Sequence, residues 1–324
     1  MTGEFEIFNI ADPKTVCEVP KGTCLLAYRG SIAHGMHDPK PDSIDDIDLM
    51  GIVLAPPEHY LGLQEWGSRG TVEYWRGRYD CVFYEIRKMF TLLLQGNPNV
   101  MSLLWIKPEH YLHGSAPGRL IVENRNLFVG KHVYAAFAGY ASAQLQKMET
   151  RDPSELREYI AVTNELKYRG AHPNHKGENF PIPSRVLTDL TGEERNALAA
   201  KTEVLLARLH SYQKKGENIG YMGDKRKQLV LEHGYDAKNA AHCVRLLRMC
   251  REFLTSGEMT VFRTDASELL DIKHGKWDLE RIKKHAEDLF FEVKEARDAS
   301  TLPAEPDRSG AERLLVKILR EHLS

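Results

Sequence analysis

The chain has 324 residues, 42% of them hydrophobic and 28% charged, with a formal net charge of -2. That is the composition of a soluble globular protein with room for one large domain or two ordinary ones, and it excludes a globally basic nucleic-acid binder, leaving only local basic patches. Five isolated cysteines without a C-x-x-C pair fit a reduced, cytoplasmic protein. The N-terminus lacks a signal pattern, and no apolar run approaches membrane-spanning length.

In chain order, two apolar runs at 24–28 and 47–54 predict buried strands. The first leads into Gly30-Ser31; the second opens with Asp46 and Asp48. Residues two apart on a strand share a face, so these carboxylates point the same way. Such a pair repels unless a cation lies between them, and hard oxygen ligands suit magnesium, which commonly bridges carboxylates to substrate phosphates. Asp45, between strand turn and pair, alternates away and reads as a solvated turn residue. A Pro-Pro turn and short connector follow, then strands at 71–75 and 78–84 joined near Gly77. Asp80 begins the second of these, with Val82 and Tyr84 on its face. A helix at 85–95 follows from Ile86, Met89, Phe90 and Leu93, with Gly96 ending it and Asn97-Pro98 opening the next.

Beyond about residue 115 helical periodicity takes over. Helices are predicted at 118–124, 132–150, 153–168, 192–214, 236–256, 266–274 and 279–299, with a last amphipathic helix through Leu314, Leu315, Ile318 and Leu319. A loop rich in proline, glycine and asparagine spans 170–184 and holds His172 and His175, which lack companions at zinc-ligand spacing. On the helix at 236–256, Lys238, His242 and Arg245 share one face, while Val244, Leu247 and Leu254 face the core. Lys225, Arg226 and Lys227 add to this basic group. The chain has no P-loop and no G-x-S-x-G nucleophile motif.

The segments G-S-I-A-H-G, D-S-I-D-D-I-D-L-M-G, D-C-V-F-Y-E-I-R-K-M-F, G-N-P-N-V and G-Y-D-A-K-N-A-A-H-C-V-R-L-L-R resemble the DNA-polymerase-beta-like nucleotidyltransferases, in particular the RNA-repair-pathway branch. The resemblance implies an α+β fold: a nucleotidyltransferase domain at 1–112 with a small mixed sheet, and a mostly α-helical domain at 113–324 forming the other wall of a cleft. It also implies transfer of a nucleoside monophosphate from a nucleoside triphosphate to an acceptor hydroxyl, with release of pyrophosphate. Two magnesium ions, or manganese, would be held by Asp46, Asp48 and Asp80, with Asp80 also the base. Glu73 and Glu85 are rivals for the third carboxylate; Glu85 has a structural explanation at a helix start. Gly30, Ser31, His34, Lys238, His242 and Arg245 would meet the nucleotide. The family points to RNA as acceptor; a protein, a small molecule and a non-catalytic nucleotide or RNA binder are the alternatives. Departures from the family pattern fall at Ile32, His34, Ile44, Asp45 and Ser102, and leave Gly30, Ser31, Asp46 and Asp48 intact.

Overall fold

A computed structural model of the chain describes residues 5–9, 16–37, 45–149 and 224–324, with scattered positions between 157 and 204. The elements described are β1 (Phe5–Asn9), β2 (Val16–Pro20), β3 (Thr23–Tyr28), α1 (Gly30–Ala33), β4 (Ile47–Val53), α2 (Pro57–Leu61), β5 (Thr71–Arg76), β6 (Tyr79–Glu85), α3 (Ile86–Leu94), α4 (Pro98–Met101), β7 (Tyr111–Gly114), α5 (Ala116–Glu123), α6 (Val133–Glu149), α7 (Asp224–His233), α8 (Ala237–Ser256), α9 (Ala266–Lys273), α10 (Leu279–Ala299) and α11 (Arg308–Leu323). The loop expected at 170–184, with His172 and His175, lies outside the described residues, as does the helix expected at 153–168 apart from two helical positions. So does the helix expected at 192–214, apart from scattered helical positions.

The chain forms two compact units, Met1–Gln144 with Ala240–Ser324, and Leu145–Asn239. In the second, Asp236 caps α8: its carboxylate accepts from the Asn239 N–H at 3.2 Å and from the Asn239 side-chain amide at 3.1 Å. The first unit is built on a five-stranded sheet in the order β5-β6-β4-β3-β7. β4 and β6 are parallel; the other pairs are antiparallel. This is the mixed sheet of an α+β fold. β1 and β2 form a separate hairpin.

Alternation along the central strands sorts their side chains onto two faces. One face carries Leu26, Leu49, Val53, Tyr79, Cys81 and Phe83, which join Val19 in a buried cluster. The other carries Ala27, Met50 and Val82, all buried, and continues into Arg29, Asp48 and Asp80. The amphipathic pattern of α3 is explained by burial of Ile86, Met89, Phe90 and Leu93. Its N-cap is Glu85, whose side chain accepts from the N–H groups of Arg87 and Lys88. Asn97 then accepts from the Asn99 N–H and caps α4, with Pro98 in its first turn.

The helical segment at 240–324 packs its predicted core face inward: Val244, Leu247 and Leu254 are fully buried. Cys24, Cys81, Cys243 and Cys250 are buried. Burial pushes Cys24, Cys243 and Cys250 up to about 12, so these three thiols are not nucleophiles at neutral pH. Among the described residues no helix is long and apolar enough to cross a membrane.

Candidate functional site

Strand register assembles the site. Tyr28 of β3 pairs with Leu49 of β4, and Asp48 of β4 pairs with Asp80 of β6. Arg29 extends β3 by one residue, and its N–H donates to the Asp48 carbonyl at 2.9 Å. Laterally paired residues project from the same face of a sheet. Arg29, Asp48 and Asp80 therefore form a row across three adjacent strands. The Arg29 Nη2 donates to Asp80 Oδ2 at 2.9 Å and lies 3.9 Å from Asp48 Oδ1. All three side chains are about one-quarter exposed, at 26%, 25% and 23%, so solutes can reach them. The Arg29 Nε is buried and has no hydrogen-bond partner among the described residues.

Gly30 is placed against this row. Its φ is +59°, and a Cβ there would fall 2.0 Å from Asp48 Oδ2. Both the backbone conformation and the space demand glycine. The turn that follows closes as a Schellman motif: the Gly35 N–H donates to Ile32 O at 3.1 Å and the Met36 N–H to Ser31 O at 2.8 Å, with Gly35 at φ +70°. Ser31 Oγ lies 3.2 Å from His37 Nδ1.

Asp46 sits immediately before β4 and is half-buried. Among the described residues no group of three His, Cys, Asp or Glu side chains converges closely enough to hold a metal ion. Arg29 thus brings Asp48 and Asp80 together, and Asp46 stands two residues before Asp48 at the entrance of β4. Two carboxylates reached by one guanidinium nitrogen still fit a divalent cation of the kind bound by one or two carboxylates plus substrate phosphates.

The rivals of Asp80 have other work. Glu85 is buried, caps α3, and accepts the Tyr60 hydroxyl at 2.9 Å. Burial and then Glu85 push the Tyr60 phenol above its ordinary value. Glu73 is exposed on β5 opposite Val82.

Asp45 requires a correction. The expectation of a solvated turn residue is overturned, because Asp45 is only 4% exposed. Both of its carboxylate oxygens accept from Lys273 Nζ on α9, each at 2.6 Å. Alternation does turn Asp45 away from Asp46, but toward a buried cation instead of water. The same ammonium lies 3.4 Å from the Met36 carbonyl. It therefore ties the end of the Gly30-Ser31 turn to the entrance of β4.

The segment from α8 to α9 clasps α1 at further points. His34 is 5% exposed, with Nδ1 3.0 Å from the Val261 carbonyl and Nε2 2.5 Å from Arg245 Nη1. Its carbonyl accepts from the Arg263 N–H at 3.2 Å. The Phe262 ring fills the space a Cβ on Gly35 would need. His34 and Arg245, both predicted nucleotide ligands, are thus brought into contact with each other. Lys238 and His242 lie half-buried on the first two turns of α8. Arg29 and Lys273 escape sequence reasoning. The signal for Arg29 is its place between an apolar strand and Gly30; Lys273 carries none, being 228 residues from Asp45.

No solved structure matches the chain. An uncharacterized 38.9 kDa protein from the nrdC-mobD intergenic region of Enterobacteria phage T4 is 21% identical over 304 residues, covering 85% of this chain and 89% of the phage protein. Residues 18–222 match a family described as the RNA repair pathway DNA polymerase beta family. That stretch contains Arg29, Gly30, Ser31, Asp48 and Asp80 and ends before α8. With the mixed sheet, the glycine-closed turn and the paired carboxylates all inside the matched region, the chain belongs to the RNA repair pathway DNA polymerase beta family.

Proposed function

We propose that the protein is a nucleotidyltransferase that moves a nucleoside monophosphate from a nucleoside triphosphate to an acceptor hydroxyl, most simply on RNA. The observation that carries this reading is the row Arg29–Asp48–Asp80 against Gly30, within the family-matched segment. A pair of carboxylates side by side on one sheet face is costly for a protein that only binds RNA, since like charges repel one another and the phosphates alike. It is useful to one that must hold a cation against a polyphosphate.

Asp48 and Asp80 would hold magnesium or manganese, with Asp46 the third carboxylate of the site. When bound, the metal supplies neutralisation of the phosphates and of the departing pyrophosphate. The chain's own residues do the rest. Gly30 lets the backbone come close to Asp48, and Ser31 places its hydroxyl on the same turn. Asp80 takes the proton of the acceptor hydroxyl, whose oxygen forms the new bond to the α-phosphorus as the bond to the β-phosphate oxygen breaks. Arg29 keeps the two carboxylates adjacent and supplies a cation at the edge of the reacting phosphates. The Asp45–Lys273 pair and the His34 contacts hold the turn in place. Positioning of this kind accounts for much of the acceleration in such transfers.

The test is a matrix of each α-labelled nucleoside triphosphate with magnesium against total RNA, total protein or neither. Label on RNA is the expected result. Label on protein would move the acceptor and keep the chemistry. Absence of label in every cell would contradict the reading.

A further inference from the structure

Of the four tryptophans in the chain, three have structural partners. Trp66 packs against the buried cluster of the sheet. Trp105 donates its ring N–H to Glu258 at 2.8 Å. Trp277 lies under the Arg281 guanidinium, 3.6 Å from its ring centre. Trp75, on β5, is different: it is 63% exposed, and among the described residues its indole makes no hydrogen bond and no ring contact. Its neighbour Tyr74 projects from the opposite face and stacks on Phe83, with ring centres 5.9 Å apart. A bare indole on the edge strand of a sheet is a liability for unwanted association. Tryptophan is enriched where a surface meets a partner, because it offers a large rigid ring.

The register of β5 gives this indole its place. Trp75 pairs with Asp80, so it projects from the same face as Asp80 and Asp48, and its Cβ lies about 5 Å from that of Asp80. The row therefore has a fourth member and reads Arg29, Asp48, Asp80, Trp75 across β3, β4, β6 and β5. Its two ends differ. Gly30 and the Ser31 turn stand at the β3 end. At the other end β5 is the edge of the sheet, and the indole meets solvent. The hairpin that follows is basic: Arg76 and Arg78 are exposed on either side of Gly77, whose φ is +61° and where a Cβ would meet nothing within 4 Å. The Ile47 N–H donates to the Arg78 carbonyl at 2.8 Å, which fixes this hairpin to the entrance of β4, beside Asp46. A π-face flanked by cations is the combination that holds single-stranded nucleic acid: a base stacks on the ring and the cations meet the backbone. Phosphates that approach Asp80 need such cations, since the carboxylates repel them.

We propose that Trp75, with Arg76 and Arg78, binds the end of a single-stranded RNA and delivers its terminal hydroxyl to Asp80. The proposal rests on the nucleotidyl-transfer reading and gives the acceptor its place within it. The triphosphate takes the Gly30 end of the row and the RNA takes the β5 end. Asp80, which receives the proton of the acceptor hydroxyl, stands between Asp48 and the indole. Trp75 binds and orients the acceptor and takes no part in bond making. Every base has a π-face, so stacking here is indifferent to sequence, and the site selects single strands over duplex, whose bases are already stacked.

The test uses the full chain without divalent cations or triphosphate, so its outcome is separate from whether label is transferred. A short end-labelled single-stranded RNA is titrated by fluorescence anisotropy at several salt concentrations. Wild type binds it, binds a duplex of the same length more weakly, and shows partial quenching of its tryptophan fluorescence. Trp75→Ala loses roughly tenfold in affinity and melts as wild type does, because the ring removed is exposed. Trp75→Phe keeps a π-face and most of the affinity but loses the quenching. The double variant Arg76→Gln/Arg78→Gln binds more weakly and lowers the salt slope by about 1.4, the value for two single-strand phosphate contacts. Unchanged RNA binding by Trp75→Ala, or none by wild type, would overturn the proposal. A markedly lower melting temperature for Trp75→Ala would overturn it too, by making the indole a packing residue. So would a wild-type dimer that Trp75→Ala dissociates, which would make β5 an interface between copies of the chain. A parallel titration with each nucleoside triphosphate covers the other source of a base: a loss confined to the triphosphate would assign the indole to the incoming nucleotide and overturn the acceptor assignment. Undiminished transfer of label to RNA by Trp75→Ala would overturn the proposal while leaving the transfer reading intact.

Discussion

Substituting Lys273 by Met is expected to be among the most damaging single changes outside the carboxylate row. The ammonium meets both Asp45 oxygens at 2.6 Å, and the side chains are 5% and 2% exposed. Removing one member of such a pair leaves a charge buried where water cannot compensate it. The cost is about 3–5 kcal/mol, or roughly 6–20 °C of melting temperature for a compact unit of this size. The double variant Asp45→Leu/Lys273→Met removes both charges and is expected to recover most of that loss, since well-packed apolar replacements of buried pairs are often neutral or stabilising. Urea unfolding followed by circular dichroism measures both, with a shift in midpoint at constant slope as the signature. A Lys273→Met cost below about 1 kcal/mol would refute the reasoning and return Asp45 to the solvent. Because Asp45 precedes Asp46, the same variant should also weaken stabilisation of the protein by manganese.

Three further outcomes are expected. Gly30→Ala should cost more than about 1 kcal/mol, because the new Cβ meets Asp48 Oδ2 and φ is positive; wild-type melting and wild-type manganese binding in this variant would contradict the placement of the turn. Arg29→Gln should destabilise the protein by about 1 kcal/mol in divalent-free buffer, with manganese restoring most of it as the replacement cation; a loss that manganese leaves untouched would argue that Arg29 serves packing alone. Stability should also fall as pH drops below about 6.5. His34 is held low in the folded protein, so the unfolded chain binds the extra proton first, and the stabilisation present above the unfolded value is lost toward the lower folded one. His110, His132 and His285 are lowered too, each chiefly by burial, and act with the same sign. Melting curves across this range should show a smaller drop for His34→Gln than for wild type, and identical drops would remove His34 from the account.

What the sequence discloses here is local. β3, β4 and β6 announce themselves as apolar runs, and α3 as an amphipathic stripe with its cap at Glu85. Asp48 and Asp80 are legible as strand-borne carboxylates, and Val244, Leu247 and Leu254 as a core face. What it withholds is long-range. The register that sets Asp80 opposite Asp48, and Arg29 beside both, depends on which strands pair, and no window of sequence contains that. Alternation correctly turns Asp45 from its neighbours, but it says nothing of Lys273 waiting on the other side. His34 and Arg245 are 211 residues apart, so their contact has no local signature. β7 is hidden for a different reason: four residues, Y-L-H-G, are too few for a period. α7 is hidden because its charges, D-K-R-K, mask a weak apolar stripe.

The central claim is that the Asp48–Asp80 pair drives nucleotidyl transfer. Its most direct test is pyrophosphate release from each nucleoside triphosphate, with magnesium and RNA, by wild type and by Asp48→Asn. Asn keeps the shape of the side chain while removing its charge, so circular dichroism and melting should show a folded protein. Wild type is expected to release pyrophosphate from at least one triphosphate in step with label appearing on RNA, and Asp48→Asn to release none above background. Equal release by the two proteins, or none by wild type with any triphosphate, would contradict the account.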